Sequence, residues 1–159
     1  MQGDRDIIKL LNTVLTNELT AVNQYYLHAR MLQNWGLERM GKVVYEESIE
    51  EMKHADKLIK RVLFLDGLPN MQDLHKLAIG ENIGEVFKAD LSLELNGRTT
   101  LVAGVAQCEA ARDFVTREIL VSILEDTEDH IDFLETQLTL LNSLGEQNYL
   151  QSAMGEIEG

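Results

Sequence analysis

The stretch Glu51-Met52-Lys53-His54 places a carboxylate and an imidazole three residues apart, so on a helix the two side chains share one face. A second stretch, Thr127-Glu128-Asp129-His130, repeats the spacing with threonine in the first position. Glu18 lies 33 residues before the first stretch, and Glu94 lies 33 residues before the second. We therefore expect two similar helical hairpins that bring these side chains together.

A four-helix bundle that points two lone glutamates and two Glu-x-x-His pairs inward builds a di-iron carboxylate site. This chain supplies five of those six ligands, namely Glu18, Glu51, His54, Glu94 and His130. Burying a carboxylate costs several kcal/mol unless it is paired or coordinated, and two iron ions would supply the compensating charge. The same ligands accept zinc or manganese. The alternative is that some of these side chains rim the bundle and are solvated.

Apolar residues recur at spacings of three and four in four long segments, which predicts four helices. We expect these helices over residues 6–34, 38–65, 83–111 and 113–144, with a short fifth helix over 148–154. Gly67 and Pro69 end the second helix and begin the one extended connection. This order predicts an all-α, ferritin-like four-helix bundle with one long crossover, formed by a single domain over residues 1–159.

Composition limits the class of protein. A net charge of −13 argues against nucleic-acid binding and fits either a soluble acidic surface or the attraction of cations. A single cysteine, Cys108, favours a reducing compartment. The polar start lacks the apolar core of a signal peptide, and no apolar run is long enough to span a bilayer. We therefore expect a cytoplasmic protein that does not enter a membrane.

Met52 is turned by about 100° from Glu51 on an ideal helix, so it faces away from the predicted site. It shares a row with four apolar or aromatic residues, Tyr45, Ile49, Ile59 and Leu63. Such a row on the outside of a bundle suggests a partner subunit. Spacing alone leaves two roles for Met52, either ordinary packing or ligation of haem iron by its thioether.

Several segments resemble the bacterioferritin family, the haem-containing ferritins of bacteria, over essentially the whole chain. They are Asn17-Glu18-Leu19, Asn23-Gln24-Tyr25, Leu27-His28-Ala29-Arg30-Met31, Glu50-Glu51-Met52-Lys53-His54-Ala55-Asp56, Phe64-Leu65-Asp66-Gly67-Leu68-Pro69-Asn70 and Gln147-Asn148-Tyr149-Leu150-Gln151. The resemblance implies a hollow cage of such subunits that oxidises ferrous iron and stores a ferric mineral. It also implies a b-type haem shared across each two-fold axis, with Met52 of both subunits as axial ligands, and a ferredoxin as electron donor for iron release.

The resemblance assigns the five residues named above as di-iron ligands, but Thr127 departs from the family pattern. Threonine is neutral and short, so it cannot provide the bridging carboxylate expected there. Glu46 departs too, since many relatives carry a histidine there, and Phe133 stands where family members often have tryptophan. Tyr25 remains the better candidate for a redox-active aromatic residue.

Three hypotheses follow. The leading one is an iron-storage cage subunit that binds haem through Met52 and has an impaired di-iron centre, in a cage of itself or beside a second, ferroxidase-competent subunit. The alternative is an active ferroxidase in which water, or Glu128 brought inward by a π-bulge, completes the site. A third is a haem-binding electron conduit or structural subunit whose bundle holds no iron.

Overall fold

The structure is a computed structural model that describes residues 1–157. It consists of α1 (Arg5–Asn34), α2 (Glu38–Phe64), α3 (Ile83–Ala111), α4 (Phe114–Leu144) and the short α5 (Glu146–Met154). The described residues contain no strand. The predicted all-α fold is confirmed, and the helices begin and end within two residues of the expected positions. Residues 158–159, where the predicted domain ends, lie outside the described part.

Polar side chains mark where three of the long helices begin. Side-chain oxygens of Asp4, Asn82 and Asp113 accept hydrogen bonds from backbone N–H groups in the first turns of α1, α3 and α4. Each bond satisfies a donor that has no partner within the helix. The turn between α1 and α2 contains Gly36 at a φ of 86°, a conformation that favours glycine.

The helices pair as two hairpins, because α1 packs along α2 and α3 packs along α4. The hydrophobic core has two parts. The first includes Leu11, Leu58 and Leu120, and the second, at the other end of the bundle, includes Tyr25 and Phe87. Along α2, α3 and α4, the predicted ligands lie between the residues of the first core part and those of the second. Along α1, Glu18 lies at the boundary between the two parts. The candidate site therefore lies at mid-length in the bundle.

The connection between α2 and α3 is the predicted long crossover, and side chains of α1 fix it to the bundle. The backbone N–H of Ala78 donates to Oε1 of Gln24, and the backbone N–H of Gly80 donates to Nε2 of His28. The donor–acceptor distance is 3.0 Å in both hydrogen bonds. A Cβ added to Gly80 would lie 2.4 Å from the backbone nitrogen of Val86. This close approach requires glycine and brings the chain directly to the start of α3.

None of the helices in residues 1–157 is both long and apolar enough to cross a membrane.

Candidate metal centre

The structure brings the five predicted ligands together in the interior, where each of them is at least nine-tenths buried. They form two groups that share Glu51. The first consists of Glu18, Glu51 and His54, and the second of Glu51, Glu94 and His130. Within each group, one potential ligand atom from every residue lies within 4.8 Å of the others. Each group offers carboxylate and imidazole donors at a spacing that one metal ion could bridge.

His54 lies between carboxylates on both sides of its ring. Its Nδ1 is 3.3 Å from Oε2 of Glu51 and 3.6 Å from Oε2 of Glu18. Its Nε2 is 2.8 Å from Oδ2 of Asp126. Burial alone would lower the pKa of His54, but the hydrogen bonds and charges of Glu18 and Asp126 outweigh it and raise the pKa to about 9. In the metal-free protein the imidazolium therefore supplies positive charge that a metal ion would otherwise provide.

Glu94 is the centre of the second group. Its Oε1 is 3.0 Å from Nδ1 of His130 and also accepts a short hydrogen bond from the Tyr25 hydroxyl. Burial opposes charge on His130, but the hydrogen bond and charge of Glu94 outweigh it and raise the pKa of His130. Burial and the charge of Glu94 raise the pKa of Tyr25 well above its ordinary value. Tyr25 therefore remains a neutral hydrogen-bond donor that fixes the Glu94 carboxylate.

Thr127 occupies the expected ligand position on the buried face of α4 but carries no charge. Only 3% of its surface is exposed, and its hydroxyl donates a 2.8 Å hydrogen bond to the carbonyl oxygen of Ile123, within its own helix. Its side chain brings no carboxylate to either group of ligands. Of the six side-chain positions that a complete di-iron site of this type uses, five therefore carry residues that could ligate a metal.

Glu128 lies outside the centre. Its Oε2 accepts a 2.8 Å hydrogen bond from Nε of Arg98, and both side chains are about half exposed. The helix α4 is regular α-helix from Phe114 to Leu144, without the bulge that would turn Glu128 inward. In this structure Glu128 is therefore not placed to complete the site.

A pocket of about 210 Å³ adjoins both histidines and reaches the protein surface. Most of its lining is acidic, and the lining residues are Glu47, Glu50, Glu51, His54, Asp126, Asp129, His130 and Phe133. Burial is the largest cause of the raised pKa of Glu47, and the nearby charge of Glu94 adds to it. The charge of His130 acts in the opposite direction. The concentrated negative charge attracts cations toward the buried ligands.

Met52 lies apart from these ligands, on the outer side of α2. Its side chain is 44% exposed, and the neighbouring Ile49 and Leu63 on the same row are also exposed. Its predicted orientation, away from the centre of the bundle, is therefore confirmed. Met52 is therefore accessible from outside the bundle.

A buried polar cluster that the sequence did not predict lies beside the centre. Oδ1 of Asp90 accepts a hydrogen bond from Nε2 of Gln24 and lies 2.9 Å from Nδ1 of His28. Asp90 stands one helical turn before Glu94 on α3, while Gln24 and His28 also hold the crossover. The four-residue spacing of Gln24 and His28 on α1 was the available signal, but nothing in the sequence pointed to Asp90 as their partner.

Comparison with known proteins places this architecture in a family. Residues 8–144 match the ferritin-like domain family. The bacterioferritin of Brucella melitensis is 48% identical over 151 residues, 95% of this chain and 94% of that protein. The bacterioferritin of Mycobacterium leprae is 45% identical over 94% of both chains, and that of Streptomyces coelicolor is 42% identical over 99% of this chain and 95% of its own. The chain therefore belongs to the ferritin family and, within it, to the bacterioferritins.

Proposed function

We propose that this chain is a subunit of an iron-storage cage, that it binds haem through Met52, and that its di-iron centre is impaired because Thr127 stands in a carboxylate position. The gathering of Glu18, Glu51, His54, Glu94 and His130 in the interior supports an iron site. The neutral side chain of Thr127 is the single observation that carries the claim of impairment.

Ferrous ions are the substrate of this centre, and the five side chains are suited to bind them. Glu51 belongs to both groups of ligands, so it is the residue placed to link two ions. The absent sixth carboxylate removes one negative charge and a second link between the ions. We therefore expect the two ions to bind more weakly and less symmetrically than in a complete centre, and their oxidation by oxygen to be slow.

The residues around Met52 fit a haem between two subunits. The thioether is exposed, and the apolar row that includes Ile49 and Leu63 would be covered by a second copy of the chain. Bound haem would supply the one-electron chemistry for reducing stored iron during its release, with a ferredoxin as donor. Met52 would hold the haem through its sulfur, and the apolar row would exclude water from it.

This chain has Met52 but lacks the sixth carboxylate of the metal centre. Such a subunit would fit a cage that is built from two subunit types. In such a cage this chain would bind haem, and a second bacterioferritin subunit with a complete centre would oxidise iron. We expect purified homomeric protein to bind haem at about one group per two subunits, since one haem uses a Met52 from each of two chains.

The haem assignment is tested by Met52→Leu, with Met71→Leu as its matched control because Met71 is similarly exposed, at 48%, but lies on the crossover. We expect Met52→Leu to lose haem and Met71→Leu to retain it, as measured by haem absorbance per subunit after reconstitution. Equal haem content in both variants would contradict the assignment.

The second candidate function is an active ferroxidase in which water completes the site. The burial and close spacing of the five remaining ligands favour it. It predicts fast oxidation of two ferrous ions per subunit by the homomeric protein. The third hypothesis, a bundle that holds no iron, predicts that metal analysis after iron loading finds the centre empty even though haem is bound.

A further inference from the structure

We propose that Asp126 is a positioning residue of the metal centre, one that holds the His54 ring so that Nδ1 is directed at the metal ion. The proposal rests on the proposed function, because it concerns the same site. Nε2 of His54 and Oδ2 of Asp126 are 2.8 Å apart, a normal distance for a hydrogen bond to a carboxylate. This contact joins α4 to α2.

The contact determines which nitrogen of His54 is available to a metal. A neutral imidazole has one N–H donor and one acceptor nitrogen. Metal binding displaces the Nδ1 proton of the imidazolium, and Nε2–H continues to donate to Asp126, so the lone pair is on Nδ1, which faces Glu51 and Glu18. Metal-ligating histidines commonly donate their other N–H to a carboxylate in this way, which fixes both the tautomer and the ring orientation.

The two histidines of the centre differ in this respect. In the part of the chain that the structure describes, both carboxylate contacts of His130, with Glu94 and Glu47, are made through Nδ1, and no carboxylate contacts Nε2. Among the described residues, His54 is therefore the only histidine of the centre whose Nε2 contacts a carboxylate. We expect the hydrogen bond between Asp126 and His54 to contribute more to metal binding here than in a complete centre, because the adjacent Thr127 provides no carboxylate ligand.

Asp126 also lines the acidic pocket, so a purely electrostatic role has to be separated from positioning. Asp129 provides the comparison, since it lies on the same helix, lines the same pocket and carries the same charge, but has no contact with His54. Asparagine at position 126 offers a second comparison, because its amide oxygen can accept the Nε2–H bond without a charge.

The test is titration of the metal-free full-length protein with Co²⁺, whose absorption reports both stoichiometry and coordination. We expect Asp126→Ala to weaken Co²⁺ binding about 10- to 100-fold at one position per subunit, the usual effect of removing such a partner. Asp126→Asn should retain most of the affinity, and Asp129→Ala should change it much less than Asp126→Ala. Equal losses in Asp126→Ala and Asp129→Ala, or equal losses in Asp126→Ala and Asp126→Asn, would overturn the proposal.

Crystal structures of the metal-free wild type and Asp126→Ala provide a readout that does not depend on metal. We expect the His54 ring to rotate or become disordered in the variant, and an unchanged ring would overturn the proposal. If the wild type binds no Co²⁺ but the ring still depends on Asp126, the proposed function fails while the positioning of His54 stands.

Discussion

Nε of Arg98 donates a 2.8 Å hydrogen bond to Oε2 of Glu128, which directs this glutamate away from the metal centre although it follows Thr127 in the chain. We therefore expect Glu128→Gln to leave Co²⁺ stoichiometry unchanged. Glu51→Gln, the comparison, should lose most of the binding because Glu51 belongs to both groups of ligands. A loss in Glu128→Gln as large as that in Glu51→Gln would show that Glu128 reaches the site.

Metal binding should stabilise the subunit, because a cation neutralises carboxylates that are buried in the bundle interior. Zn²⁺ at about 100 times its dissociation constant should add about 2.7 kcal/mol to the free energy of unfolding. Thermal melting with and without Zn²⁺ measures this effect, and a chelator should reverse it. A melting temperature that does not respond to Zn²⁺ in the wild type would be inconsistent with a metal site at these residues.

The metal-free protein should lose stability as the pH rises from about 6.5 to 9. The pKa of His54 is raised from 6.5 in the unfolded chain to about 9 in the fold, so its stabilising contribution is complete below 6.5 and is lost as the pH passes through 9. The loss is at most about 3–4 kcal/mol, since the pKa rises from 6.5 to about 9 and one pKa unit corresponds to about 1.4 kcal/mol.

Thermal melting across this pH range provides the measurement, with His54→Gln as control. The variant should show a smaller decrease, to which His130 still contributes because its pKa is raised in the same direction. A wild type with the same stability at pH 6.5 and pH 9 would contradict the ion pairs described for His54.

Removing Asp90 should destabilise the fold strongly. Its carboxylate is 2% exposed and satisfies both His28 and Gln24, so Asp90→Ala leaves buried polar groups without partners. We expect a loss of about 2–6 kcal/mol, since each of the two buried polar groups left without its partner costs about 1–3 kcal/mol. Denaturant unfolding measures it against Asp73→Ala on the exposed crossover, and a loss below about 1 kcal/mol would argue against a role for the cluster in holding the bundle.

Much of the fold follows from local sequence. Gly36, Gly67 and Gly145 lie at or just beyond helix ends, and the three- and four-residue spacing of apolar residues identified the buried faces. The same spacing placed Glu18, Glu51, Glu94, Thr127 and His130 in the interior, because a helix fixes the direction of each side chain relative to its neighbours. The predicted start of α5 was two residues late, since Glu146 and Gln147 carry no apolar signal.

Contacts between distant segments could not be predicted in this way. Asp126 and His54 are 72 residues apart, and Asp126 lies beside the predicted buried face of α4 rather than on it. Asp90 and His28 are 62 residues apart, and a single buried aspartate has no periodic signature. Both contacts depend on how the two hairpins pack together, and neither helix determines that packing alone.

The most direct test of the central claim is aerobic oxidation of ferrous iron by the purified homomeric protein, at two ions per subunit, beside Thr127→Glu and the neutral, equally long Thr127→Gln. We expect the wild type to oxidise iron slowly and Thr127→Glu to do so at least about tenfold faster. A tenfold higher rate corresponds to a barrier lower by about 1.4 kcal/mol. Thr127→Gln should show no comparable increase in rate. A wild type that oxidises iron as fast as Thr127→Glu would contradict the account, because the five remaining ligands would then suffice.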